Sequence, residues 1–208
     1  MPRLAALRRT RLIKRRERFV SKTGLKHLEG SLFKQIGKAE ANLKGAKLDC
    51  CSLSELFANP DSGYKDMIAV SLHIGSSEFG NAAIQARLKK DPQRKLSLEI
   101  ENLQGMPGDA HALSKFKDEN GIVWNAYLTN VLTSAAYHSG FDRVLLRDIT
   151  TTYDYQHPFV IVGHTKMRQS EGPLAEKARK NMKQLYTRTA KECGFTKREG
   201  NYWVREFP

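Results

Sequence analysis

Residues able to move protons or hold charge are unevenly spread along this chain. Glu99 and Glu101 stand two apart in "KLSLEIENLQG", a run that alternates apolar and polar residues. Both carboxylates therefore fall on one face of a predicted strand with Ser97, while Leu96, Leu98 and Ile100 take the other. Tyr186 lies on a predicted helix, two turns before the Gly194-Phe195 pair that ends "LYTRTAKECGF". His157 and His164 follow a predicted strand at its C-terminal end, a place that often borders ligand sites in sheets of this kind, but no acid stands at a recognisable spacing from either. The six histidines show no H-x-x-x-H or H-x-E spacing, and Cys50, Cys51 and Cys193 make no C-x-x-C pair. No metal site is expected. Three cysteines without a framework also point to the cytoplasm or another reducing compartment.

A second kind of chemistry is concentrated at the N-terminus. Residues 1–26 hold ten Lys or Arg against the single Glu17, which accounts for +9 of the net charge of +13. Such an arm, residues 1–30, suits the release of counterions from RNA phosphates or an anionic membrane surface. An Arg-rich, acid-poor segment also fits organellar targeting or a secretion signal for an exported effector, or a solvated tail, and it lacks the apolar core of a Sec signal peptide. RNA or another polyanion is thus an expected partner through residues 3–26. No run of 18 apolar residues occurs, so no transmembrane segment is expected.

With 208 residues, 40% of them hydrophobic, the rest of the chain can bury one core. "SLFKQIGKAEANLKGAKLDC" spaces Leu32, Phe33, Ile36, Ala39 and Leu43 as a helix does, with Ser31 as N-cap and Gly45 as stop. "SLSELFAN" reads as a short helix ended by Pro60, and "DMIAVSLHIG" as a buried strand. "NAAIQARLKK" and "RKLSLEIENLQG" read as an antiparallel hairpin across "KDPQ". After a glycine-bearing stretch from Gly105 comes a strong helix through "NAYLTNVLTSAAYHSG", then the strand "FDRVLLRDI", half of a right-handed crossover. The segment from Thr150 to Gly172 gives no regular element. From Pro173 a long helix presents Leu174, Ala178, Met182, Leu185, Thr189 and Cys193 on one face, and "TKREGNYWVREF" supplies strand, Gly-Asn turn and strand.

This order of elements is similar to that of the GNAT acyltransferase superfamily. "NAYLTNVLTSAAYHSGFDRVLLRDI" resembles the central helix and following strand of that family, and "LYTRTAKECGF" with its aromatic hairpin resembles the closing helix, Gly-Phe corner and final strands. The resemblance covers roughly residues 31–207 and is one of pattern. It implies an α/β (α+β) fold with a mixed, central split β-sheet flanked by helices, in a domain of residues 31–208. It also implies acetyl-CoA or another acyl-CoA as co-substrate, and an amine of a protein, peptide or RNA-linked acceptor.

In the family the pyrophosphate of the acyl-CoA rests on backbone amides at the start of the central helix, in a Q/R-x-x-G-x-G/A loop; helix amides attract anions for general reasons. Two stretches here approach that motif and both depart from it. "KDENGIVW" keeps Gly121 but has Asp118 in place of Gln or Arg and Val123 in place of a small residue, whereas "QGMPGDA" has one residue too many between Gln104 and Gly108. The resemblance assigns cofactor contacts to Leu103, Gln104, Gly105, Gly108, Asn120, Gly121 and Ile122. It assigns the base that deprotonates the amine to Glu99 or Glu101, and the acid for the departing thiolate to Tyr186. Tyr186 stands eight residues before Gly194; the family tyrosine stands four before, where this chain has Ala190, an offset of one turn or about 5.4 Å. The same departures fit two alternatives: a GNAT-like binding or adaptor module without catalysis, and an RNA- or ribosome-binding protein that uses the arm. Trp124, in the first turn of the central helix, either walls a ligand pocket or packs beneath a loop.

Overall fold

The structure, a computed structural model, describes residues 23–52, 67–75, 80–90, 95–105, 109–162 and 165–208. Its contacts divide the chain into two compact units, residues 1–144 with 206–208, and residues 145–205. Together the elements make a mixed α+β protein.

The first unit opens with helix α1 (Thr23–Glu40). Leu28, Leu32 and Ile36 recur every four residues on one side and are buried, so the apolar stripe starts a turn before the expected cap. Ser31 is therefore interior to the helix. The helix ends at Glu40, and Gly45, at a φ of 65°, turns the chain into strand β1 (Ala46–Ser52). The helix therefore ends a turn short of the expected stop at Gly45, and "AKLDCC" beyond that stop is a strand. Backbone pairing decides the matter, because β1 lies antiparallel to β2 (Met67–Ile74) from Ala46 opposite Ile74 to Ser52 opposite Ile68. The short helix expected over 52–59 lies outside the described residues, apart from Ser52 in β1.

Strand β2 pairs antiparallel with β3 (Ala82–Lys90), and β3 pairs antiparallel with β4 (Leu96–Gly105) as the alternation of those two segments predicts. The glycine-bearing stretch then contains a helix of its own, α2 (Ala110–Asn120), anchored by the fully buried Phe116. The central helix follows as α3 (Trp124–His138), with Leu128, Leu132, Ala135 and Ala136 wholly buried. It packs on α1 and on β2 and β3. Gly140, at a φ of 79°, closes it, and the Phe141 amide returns to the Ala136 carbonyl at 3.1 Å.

Strand β5 (Arg143–Arg147) begins where β4 begins: the Asp142 amide donates to the Leu96 carbonyl at 2.9 Å, and the Leu96 amide donates to Asp142 Oδ2 at 2.8 Å. Within the first unit the two strands thus start side by side. Arg143 and Val144 belong to the first unit and Leu145–Arg147 to the second.

The segment from Thr150 to Gly172, expected to be irregular, lies in the second unit and is more ordered than that. The unit holds a 3-10 turn (Ile149–Thr151), the single-turn helix α4 (Tyr153–Gln156), and a two-stranded hairpin of β6 (Phe159–Val162) and β7 (Thr165–Arg168). Helix α5 (Pro173–Glu192) packs on β6, on the 3-10 turn and on α4. Its buried side is Ala175, Tyr186, Thr189 and Ala190, continued by Cys193. Leu174 is 45% exposed, so the expected stripe fails at its start, where Ala175 is buried instead, and holds at Thr189 and Cys193. The methyl of Ala175 allows the first turn a closer approach to its neighbours than a leucine would. The chain ends in the hairpin of β8 (Lys197–Glu199) and β9 (Tyr202–Glu206), turned at Gly200, as expected.

Candidate functional site

In the first unit the chemistry collects on β4. Strand β3 and strand β4 lose step between Gln85 and Ala86, which oppose Asn102 and Ile100, so Glu101 is the extra residue of a bulge in β4. Such a bulge bends and twists its strand and re-aims a side chain, and bulges occur frequently beside active sites. Glu101 Oε1 lies 3.5 Å from Arg87 Nε, and Glu99 Oε2 lies 3.1 Å from Lys89 Nζ. The Glu99 side chain is only 4% exposed and Glu101 15%, whereas both cations are at least a third exposed. Buried carboxylates are thus matched by cations that keep one side in solvent. Ser97, wholly buried on the same face, accepts from Arg143 Nε at 3.0 Å.

Past Glu101, Leu103 is buried and Gln104 is exposed. A Cβ added to Gly105 would lie 3.2 Å from Leu113 Cδ1 and 3.6 Å from Trp124 Cζ2. Trp124 therefore packs over the end of β4. Gly108 lies outside the described residues. Asn81, almost wholly buried, accepts from the Ile74 amide at 2.6 Å and donates to Asp109 Oδ2 at 3.0 Å, which ties the β2–β3 turn to the start of α2. That helix start already carries its own carboxylate. The start of α3 has no acid in its first turn and no side-chain cap at Val123, so of the two helix starts it is the more hospitable to an anion. Between them, Gly121 and Asn120 have other duties. The Gly121 amide donates to the Lys117 carbonyl at 2.8 Å, and the Asn120 side chain accepts from the Lys44 amide at 2.9 Å and donates to the Phe116 carbonyl at 3.0 Å. Ile122 is half-buried on the approach to α3. Nearby on α3, the Tyr127 phenol is raised above its ordinary value, first by burial and then by the Glu40 carboxylate.

In the second unit a cleft of about 210 Å³ is lined by Asp148, Ile149 and Thr150 from the 3-10 turn, Lys183, Tyr186 and Thr187 from α5, and Arg198 and Trp203 from the final hairpin. Asp148 organises it. Its Oδ1 accepts from the Thr150 amide at 3.0 Å and from the Thr150 hydroxyl at 2.8 Å, while its Oδ2 accepts from Arg198. Its own amide donates to the Asn201 carbonyl at 2.7 Å. Burial raises the Asp148 carboxyl, but the two bonds from Thr150 and the Arg198 guanidinium outweigh it and hold the group below the usual carboxylate range. The Arg198 guanidinium lies over the Trp203 ring, 4.8 Å from its centroid.

The expected site residues therefore divide. Glu99, Glu101, Leu103, Gln104 and Gly105 share β4; Asn120, Gly121 and Ile122 join α2 to α3; Tyr186 belongs to the second unit, 3% exposed at the wall of its cleft. Ala190, at the family's tyrosine position, is wholly buried. His157 stacks on Tyr153 with ring centroids 4.5 Å apart, and His164 lies outside the described residues. Asp148, Arg198 and Lys183 escape a reading of spacing because 50 residues separate the acid from its guanidinium. The one local signal is the D-x-T run at the end of a strand, a side chain suited to fold back on the next amides. No cluster of metal-ligating side chains and no helix long and apolar enough to cross a membrane occurs among the described residues.

The chain matches no protein-family model and no curated protein. Among solved structures it is similar to a protein of unknown function from Aquifex aeolicus VF5, at 14% identity over 71% of this chain and 82% of that one, with a TM-score of 0.25.

Proposed function

We propose that the protein is an acyl-CoA-dependent N-acyltransferase with a divergent GNAT-like split sheet. The observation that carries the reading is the extra residue at Glu101, which breaks the β3–β4 ladder and places a carboxylate on the strand where the acyl carrier would enter. The α3 start, free of acids in its first turn, supports it as the place for the pyrophosphate. Gln104, Gly105 and Ile122 are the positions from which backbone and side chain would meet the carrier. Glu101 takes a proton from the acceptor amine, the amine nitrogen bonds to the thioester carbonyl carbon, and the carbon–sulfur bond breaks with the thiolate taking up a proton. Arg87 holds Glu101 in place until the amine arrives. The acceptor is an amine of a protein, peptide or RNA-linked group.

Calorimetry with acetyl-CoA and longer acyl forms tests the first requirement, and absence of binding to any of them sinks the proposal. Given binding, Glu101→Gln lowers kcat by about a hundredfold or more while acyl-CoA affinity is kept.

A second reading, a GNAT-like binding module without catalysis, is favoured by one observation: both strand carboxylates already hold a cation, Lys89 on Glu99 and Arg87 on Glu101. It gives acyl-CoA binding with no transfer, and transfer lost in Glu101→Gln would exclude it.

A further inference from the structure

The second unit's cleft has a charge surplus that its own residues do not absorb. Asp148 already accepts from the Thr150 amide, the Thr150 hydroxyl and Arg198. The guanidinium of Arg198 has five donors and gives one bond to Asp148, and with its face on Trp203 its plane is fixed from two directions. A guanidinium held this way loses little freedom when an anion takes its other donors. Lys183, on an exposed position of α5, lines the same cleft and makes no ion pair among the described residues. Two cations thus face one carboxylate that is already spent.

The remaining wall is Ile149, Tyr186, Thr187 and the edge of Trp203, apolar or hydroxylic. The volume of about 210 Å³ is several times the ~30 Å³ that one water occupies in the liquid, more than a bare oxyanion fills. A carboxylate would be satisfied by the guanidinium fork alone. A phosphate has a third oxygen and a second charge for the ammonium of Lys183.

We propose that the second unit binds a phosphate monoester with a flat apolar body, the phosphate on Arg198 and Lys183 and the body against Ile149 and Trp203. Nothing in this depends on acyl transfer. A chain that fails to bind acetyl-CoA still binds the phosphate, and a chain that fails here still transfers acyl groups.

The probe is phenyl phosphate, titrated calorimetrically into the full chain, with benzoate and phenol at matched ionic strength. Saturable binding of phenyl phosphate is expected, with benzoate clearly weaker and phenol silent. Arg198→Gln weakens binding by about tenfold or more, the worth of a hydrogen bond to a charged group. Lys183→Gln weakens it roughly two- to fivefold, as an exposed charge should. Because Arg198→Gln also removes the partner of Asp148, a thermal melt accompanies it. Lys183 makes no hydrogen bond or ion pair among the described residues, so its variant decides the matter if the first unfolds. No saturable binding, benzoate binding as tightly as phenyl phosphate, phenol binding as tightly, or an unchanged affinity in Lys183→Gln would each overturn the assignment.

Discussion

The two units treat ion pairs in different ways. On β4 of the first unit two carboxylates, Glu99 and Glu101, each meet a cation of the neighbouring strand, Lys89 and Arg87. In the cleft of the second unit, Thr150 supplies Asp148 with two neutral donors, so Arg198 is steered by the carboxylate without being exhausted by it, and Lys183 is left unmatched. Under the acyl-transfer proposal the first arrangement holds carboxylates for a reaction that displaces their cations. The second holds a cation for an anion that has yet to arrive. How many other donors a carboxylate has therefore says more about a site than the presence of a salt bridge does.

Three substitutions break or sharpen this contrast. The largest effect is expected from Glu99→Lys, which sets a second ammonium beside Lys89 at a position 3% exposed; a buried charge that has lost its partner costs about 3–5 kcal/mol, read as a fall in the urea midpoint. A midpoint near the parent's would mean that the face does not need its balance.

Asp148→Asn is intermediate. The folded chain holds the Asp148 proton less tightly than the unfolded chain does, so unfolding takes up a proton at pH values below about 4. The stability this supplies is complete above that range and is lost as the pH falls through the folded value. The variant is accordingly about 1 kcal/mol less stable at neutral pH, the upper end for a partly exposed pair, and the gap closes on acidification. A gap that does not change with pH would place the loss elsewhere than in the charge.

The smallest effect belongs to Glu206→Gln. Lys95 Nζ and Glu206 Oε1 are 3.1 Å apart but both side chains are more than a third exposed, so the change stays within about 0.5 kcal/mol and vanishes in high salt. A larger loss would show that geometry outranks burial in setting the worth of these pairs.

The sequence announces elements whose pattern is internal to them. Strand β2 is a continuous apolar run, β3 and β4 alternate, α3 and α5 carry apolar residues at helical spacing, and glycines follow both helices. Strand β1, just past the helix stop expected at Gly45, acquires its state from β2, whose paired residues lie 18 positions away for Cys51 opposite Ala69 and 28 for Ala46 opposite Ile74. Ser31 misleads for a similar reason: it has the side chain of a cap, but Leu28 already belongs to the buried stripe. The carboxylates of β4 are visible from their spacing, but their cations are not, because Arg87 and Lys89 meet them only across the hairpin. The second unit's cleft is assembled from three separate segments, and no spacing encodes it.

The extra residue at Glu101 also changes the pleat phase of β4. Before it, even-numbered residues face the core, as Leu96, Leu98 and Ile100 do; after it, odd-numbered Leu103 does, opposite Ile84. One strand is thus written in two reading frames, and a count of alternation carried across residue 101 assigns every later side chain to the wrong face. The strand cannot slide past β3 without putting one half or the other out of frame, so its register is locked by the irregularity itself.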